Sequence, residues 1–178
     1  MSKALKILVI RLSSIGDIVL TSPVVRILKK QLNAEVHFLT KAHFSSWLSH
    51  NPYIDVIHHY EEGTDKLKIL NFDHIVDLHH NMRSLAVKLA LRVPSKSVDK
   101  LNIKKFLLTT FKWNLMPPIH MADRNVATIE HLCVKNDMQG LDFFIPDTET
   151  LPKEFLMKTP FVAVVIGGCL LYTSDAAD

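Results

Sequence analysis

Residues 6–23 read KILVIRLSSIGDIVLTSP, and this stretch decides the fold class. Residues 7–10 are an unbroken apolar run, the pattern of a strand covered on both faces. A polar loop with a single glycine, Gly16, follows. Helical spacing then runs through Leu20, Val24, Leu28 and Leu32 and closes at Asn33. Pro23 suits a first helical turn, and Thr21 or Ser22 can cap it, so the helix is expected to start or kink there. Asp17 stands where loop becomes helix. In an open α/β sheet that point is the carboxyl end of the first strand, where ligands bind.

The same rhythm continues outward. Strand patterns at 35–40, 54–58 and 74–78 alternate with helical patterns at 44–48, 65–70, 83–91, 103–113 and 123–134. Asn51-Pro52 marks a turn. The alternation predicts an α/β fold, a doubly wound parallel sheet with helices on both faces. Residues 146–160 are rich in proline and charge and read as a linker. The run FVAVVI at 161–166, ending in Gly167-Gly168, reads as the first strand of a second α/β domain. No internal repeat or low-complexity segment is evident.

The last ten residues, 169–178, CLLYTSDAAD, do not follow from what precedes them. They back-translate through TGT CTC TTA TAC ACA TCT GAC GCT GCC GAC, which resembles a mosaic-end adapter of transposase-based sequencing libraries. They are read as a non-native tail and set aside. On this reading the native message breaks off after Gly168, and the second domain is truncated. Residues 1–168 suit one domain with a real core, and a hydrophobic content of 48% fits a globular protein. Setting aside Asp175 and Asp178 moves the formal charge from +3 to +5. One of the two cysteines, Cys169, falls in the tail, so Cys133 has no native partner and the chain suits a reducing cytoplasm. The sequence has no apolar run of membrane-spanning length and no signal-peptide pattern.

The first loop is poorly suited to phosphate. A dinucleotide fingerprint needs three spaced glycines, and a P-loop needs Gly-Lys-Ser/Thr; Gly16 stands alone. Ser14-Ile15-Gly16-Asp17 matches a capping box, with Ser14 as the cap and Asp17 in the first turn, its charge favoured by the helix dipole. Asp17 can also be a base. A carboxylate at a helix start stays ionised near neutral pH. A sugar hydroxyl acidifies as it attacks a cationic anomeric carbon, so a carboxylate beside it can take the proton late in the step. The two roles are compatible, and both are open on the pattern.

Residues 6–23 resemble the N-terminal signature of glycosyltransferase family 9, the heptosyltransferases of lipopolysaccharide synthesis. The resemblance continues through AEVHFLTKAHF, NPYIDVIHHY, DLHHNMRS, LRVPSKS, KNDMQGLDFFIP and FVAVVIGG. It implies the N-terminal half of a GT-B fold: two Rossmann-like domains facing across a cleft. Residues 1–145 would be the acceptor-side domain, 146–160 the linker and 161–168 the start of the donor-binding domain. The resemblance implies inverting transfer of a sugar, typically heptose, from a nucleotide-sugar donor to a lipopolysaccharide core or related glycolipid. No bound metal or cofactor is implied. The donor, ADP-heptose in the typical case, would sit on the missing domain, leaving this chain inactive by itself. The family pattern puts the general base on Asp17, with Ser13, Ser14 and Gly16 matching the loop around it. One departure is Asp123-Arg124-Asn125, where the family often has Asp-Arg-Tyr.

Other candidates carry alternatives. The stretch Asp77-Leu78-His79-His80-Asn81-Met82-Arg83-Ser84 closes the fourth strand and should share the cleft edge with the first loop. Arg83 and Ser84 are candidate acceptor-binding residues; Arg83 can hold a carboxylate or phosphate in a fork, or it is a surface arginine on a capped helix. His79 and His80 lack metal-site spacing. Residues 83–112 hold eight basic residues (Arg83, Lys88, Arg92, Lys96, Lys100, Lys104, Lys105 and Lys112) and one acid, Asp99, interleaved with Phe106, Leu107, Phe111 and Trp113. This mixture suits the anionic inner face of the bacterial cytoplasmic membrane or a phosphorylated glycolipid. It equally suits an amphipathic helix packed on the sheet with its lysines in water. No motif supports nucleic-acid binding. The rival to a transferase is a non-catalytic α/β ligand-binding module in which Asp17 only caps.

Overall fold

A computed structural model describes residues 4–115, 117–146 and 148–150. The strand expected at 161–166, the residue 169–178 tail and most of the linker lie outside them.

Five parallel strands form one sheet in the order β3-β2-β1-β4-β5. They are β1 (Lys6–Ile10), β2 (Glu35–Thr40), β3 (Val56–His59), β4 (His74–Asp77) and β5 (Ser95–Ser97). The helices are α1 (Ile15–Val19), α2 (Ser22–Leu32), α3 (Asp65–Ile69), α4 (Met82–Leu91), α5 (Asn102–Phe111) and α6 (Met121–Ala127). β1 is central: Ile7 pairs with Val36 on one side and His74 on the other. Its side chains alternate between two cores. Ile7 and Val9 pack with Val24, Ile27 and Leu28 of α2 and Val126 of α6. Leu8 and Ile10 pack on the opposite face with Leu67 of α3 and Val87 of α4. Burial on both faces explains the unbroken apolar run, each such side chain contributing about 1.5–3 kcal/mol. The sheet is doubly wound, as the alternation predicts.

Several boundaries differ from the sequence expectation. The first helix is broken into α1 and α2 at Leu20–Thr21, with Pro23 in the first turn of α2. Thr21 Oγ1 donates to the Ile18 carbonyl at 2.7 Å and Asn125 Nδ2 to the Leu20 carbonyl at 2.9 Å, so the break is satisfied from both sides. Asn125, the departure from Asp-Arg-Tyr, is therefore buried and bonded at the seam between the two helices. β3 begins at Val56 rather than 54, because the Asn51 turn carries the chain to Ile54 and Asp55 turns inward to accept from the Val36 N–H. The helix expected at 123–134 stops at Ala127 and gives way to a single tight turn, Glu130–Leu132, ended by Cys133 in the left-handed region. β5 was not expected. Its sequence, Ser-Lys-Ser, has no apolar face; it is an edge strand selected by pairing with β4.

Arg26 on α2 is 1% exposed and grips the segment after α6. Its guanidinium holds Asp137 through two bonds of 2.7 and 2.8 Å, donates to the Gly140 carbonyl at 2.9 Å and pairs with Asp142. The Asp137 bonds, against the opposing effect of burial, hold its pKa above the ordinary arginine value. No helix among the described residues is long and apolar enough to cross a membrane.

Candidate active site

The chain runs from β1 outward to β2 and β3, then returns to place β4 and β5 on the other side of β1. The carboxyl ends of β1 and β4 therefore flank the topological switch point, the usual ligand crevice of such sheets. Two loops rise there. The loop after β1 starts at Arg11, whose N–H donates to the Leu39 carbonyl at 3.1 Å. The loop after β4 starts at Leu78, whose N–H donates to the Ile10 carbonyl at 3.0 Å.

Arg11 joins the two loops. It is buried, and its guanidinium donates to the Ser13 carbonyl at 2.7 Å and to the Leu78 carbonyl, and forms an ion pair with Asp17. Ser14 Oγ donates to Asp17 Oδ2 at 2.9 Å. The Asp17 side chain remains 38% exposed. The Asp17 side chain is thus fixed at the strand end by two donors while part of it faces solvent. The Ser13–Ser14 peptide is cis. Gly16 lies in α1, exposed, and a Cβ built on it meets nothing within 4 Å.

The expected capping box at Ser14 is different in detail. Ser14 is the N-cap residue, but its hydroxyl makes no capping bond and donates to the Asp17 carboxylate instead. The physical reason is Arg11, which draws the Asp17 carboxylate back toward the strand end and within reach of the hydroxyl; a charged acceptor is the stronger partner. A full capping box forms after β4. Asn81 Oδ1 accepts from the Ser84 N–H, and Ser84 Oγ accepts from the Asn81 N–H, both at 3.0 Å.

Behind that box lies Asp77, fully buried at the end of β4. Its carboxylate pairs with Lys88 at 2.8 Å and accepts from Ser84 Oγ, Ser97 Oγ and the N–H groups of His79 and His80. Burial works against the ionised form, but Lys88 and these donors outweigh it and hold the pKa below the usual carboxylate range. Lys88, counted with the basic stretch in the sequence, is therefore taken up by Asp77 and Ser97. Ser84, a candidate acceptor-binding residue in the sequence, is fully buried, and its hydroxyl donates to Asp77 at the start of α4. Arg83, one residue earlier, is half-buried in the first turn of α4.

His79 was weighed in the sequence only as a metal ligand, for which it lacks the spacing. It is buried, and its Nε2 accepts from Asn81 Nδ2 at 2.8 Å. Burial first, then the nearby charges of Arg11 and Lys100, lowers its pKa to about 4, so the ring is neutral at pH 7. Its Nδ1 is buried with no partner among the described residues. His80 Nδ1 donates to the Val98 carbonyl at 2.6 Å. Among the described residues, no group of three His, Cys, Asp or Glu side chains is placed to hold a metal ion. Arg11 went unremarked in the sequence, where its only signal is a lone cation closing the apolar run of β1.

No known family model matches the sequence, and no curated protein matches it. Solved structures match the fold. A family 9 glycosyl transferase from Veillonella parvula DSM 2008 aligns with a TM-score of 0.64 at 21% identity, over 83% of this chain and 47% of that one. The fold is shared with about half of that family 9 glycosyl transferase. The E. coli heptosyltransferase WaaC, solved with ADP, aligns with a TM-score of 0.58 at 15% identity, over 78% of this chain and 50% of its own. WaaC solved with ADP-2-deoxy-2-fluoro heptose gives 0.55 at 15% identity, over 78% and 51%. The chain spans about half the length of these structures.

Proposed function

We propose that this chain is the acceptor-side half of an inverting glycosyltransferase. The enzyme moves a sugar, heptose in the favoured case, from a nucleotide-sugar donor to a lipopolysaccharide core or related glycolipid at the inner face of the bacterial cytoplasmic membrane. The observation that carries this reading is Asp17: a partly exposed carboxylate anchored by Arg11 and Ser14 at the switch point of a family 9 fold. The ADP and fluoro-heptose bound in WaaC support a nucleotide-sugar donor. The lack of a glycine-rich phosphate cradle after β1 supports placing that donor on the other half.

In the proposed step the acceptor hydroxyl lies against Asp17. Its oxygen attacks the anomeric carbon as the bond from that carbon to the nucleotide diphosphate breaks. The hydroxyl proton passes to the Asp17 carboxylate, and the diphosphate leaves with the bonding pair. Attack opposite the leaving group inverts the centre. Arg11 holds Asp17 in position, Ser13 and Ser14 shape the loop, Gly16 leaves room for the sugar, and Arg83 faces anionic groups of the acceptor.

The test is Asp17→Asn in the uninterrupted native enzyme. Turnover should fall by about 10²–10⁴-fold, the usual contribution of a positioned base. Unimpaired turnover removes Asp17 as base. The 178-residue chain itself should transfer no sugar; measurable turnover from it overturns the division of labour. The Arg11–Asp17 ion pair also favours a second reading, a non-catalytic binding module in which Asp17 only ties α1 to the strand end. That module predicts ligand binding without transfer even in the complete protein.

A further inference from the structure

We propose that His74 and His131 form a binding site for a divalent transition-metal ion of the nickel and copper class. Their Nε2 atoms face each other at 2.8 Å. The ring centroids are 4.7 Å apart and the ring planes are inclined by 45°. Two imidazoles meeting head-on through these nitrogens would hold their centroids farther apart, so the two nitrogen axes bend toward a common point. A metal that takes nitrogen ligands at right angles, with bonds of about 2.0–2.1 Å, places two such nitrogens about 2.8–3.0 Å apart. Tetrahedral zinc would need about 3.3–3.4 Å. The observed separation suits the right-angled case with almost no movement.

The tautomers fit as well. His131 Nδ1 lies 3.0 Å from the Thr128 carbonyl. A carbonyl can only accept, so Nδ1 carries the proton of the neutral ring and Nε2 is bare. A histidine that donates its other ring N–H to such a partner is the usual metal ligand. In the metal-free pair His74 Nε2 donates to the bare nitrogen of His131. On binding, the His74 proton moves through water from Nε2 to Nδ1, both Nε2 atoms bond the metal, and no net proton is released. Burial first, then the charge of His131, lowers the His74 pKa, so this ring is deprotonated and ready as a ligand at neutral pH.

Both ligands stand on firm supports. His74 opens β4 beside Ile7 of the central strand. His131 sits in the tight turn after α6, where the Leu132 N–H donates to the carbonyl of the fully buried Ile129. The pair lies at the amino ends of the strands, the opposite end of the sheet from the turn that holds Asp17. The site is therefore separate from the proposed transfer chemistry, and a bound ion would staple the segment after α6 to β4. Among the described residues no third His, Cys, Asp or Glu joins the two, so water completes the shell. His131 is exposed and leaves room for it. A second histidine pair shows the contrast. His37 Nδ1 meets His58 Nε2 at 2.7 Å, but His37 is 2% exposed, its Nε2 is engaged by Glu35 at 2.9 Å, and the two rings stack at 7°. That pair has no open side for water or metal.

The experiment is calorimetric titration of the untagged 178-residue chain with Ni²⁺ near neutral pH, followed by amide NMR. One tightly bound ion per chain is expected. His74→Gln and His131→Gln should each weaken it by about tenfold or more, since each leaves one of two joined ligands. His131→Gln changes only an exposed side chain, and circular dichroism checks that the fold is kept. His50→Gln, at an exposed histidine elsewhere, and Cys133→Ser, at the exposed thiol beyond the same turn, should leave the affinity unchanged. Ni²⁺ below one equivalent should broaden the amide signals of residues 73–75 and 129–132 before those of residues 13–18. Zn²⁺ should bind more weakly than Ni²⁺. Four results overturn the proposal: no binding of Ni²⁺, binding that neither histidine variant weakens, broadening centred elsewhere, or a preference for Zn²⁺.

Discussion

Asp17 and Asp77 close neighbouring turns at the carboxyl ends of β1 and β4, yet the structure treats them differently. Asp77 is fully buried and receives Lys88, two serine hydroxyls and two backbone N–H groups. Asp17 is 38% exposed and is held by Arg11 and Ser14. One acid is committed to the architecture: it fixes the turn into α4 and the edge strand β5. The other is positioned but left accessible. Two acids at neighbouring strand ends thus differ in accessibility, and the difference lies in how many donors surround each.

The sharpest way to break this comparison is Asp77→Ala. It leaves the largely covered Lys88 without its carboxylate partner and frees the ends of two loops, and should cost about 3–5 kcal/mol in urea unfolding. A loss under about 1 kcal/mol would make Asp77 no more structural than Asp17. Acid should reveal the same network. The unfolded chain takes up a proton on histidine below about pH 6.5, while His79 resists it down to about 4, so stability present above 6.5 falls across that window. Asp77, with its lowered folded pKa, contributes stability above the usual carboxylate range that is lost as the pH falls further. His79→Gln should flatten the first part of the curve, measured by denaturant midpoint against pH; an unchanged slope would assign it to His58, which is lowered to about 4 as well.

Arg11→Lys comes next. A lysine cannot reach Ser13, Leu78 and Asp17 together, so a loss of about 1–3 kcal/mol is expected. Asp17→Asn should change stability by no more than about 1 kcal/mol, in keeping with a partly exposed ion pair. A larger loss would move Asp17 toward the Asp77 role. Gly16→Ala is the smallest. A Cβ there meets open space on a helical backbone, so stability should rise by about 0.5–1 kcal/mol. If the acceptor occupies that space, its binding, read by calorimetry, should weaken at the same time.

Much of the fold was legible because its strands are apolar and central. Residues 7–10, 36–40 and 75–77 are buried, and burial writes itself into composition. β5 was not legible, because Ser95, Lys96 and Ser97 become a strand only by lying beside Ile75, Val76 and Asp77. The site divides in the same way. Asp17 stood out through local sequence, at the turn from loop to helix. Arg11 and His79 matter through contacts between residues 67 or more positions apart or through burial that no local pattern records. Ser14 shows the intermediate case: its place at the helix start was readable, but its partner was not, since Arg11 alters which acceptor its hydroxyl meets.

The Arg26 clamp has a mechanical consequence. Asp137 and Asp142 are moored to α2 through a guanidinium with its ends 111 and 116 residues apart in the chain. Tension arriving from the C-terminal side would pass into α2, and from there to the centre of the sheet, before it could peel α6 away. Any pivot on the C-terminal side of this body would therefore lie beyond Asp142.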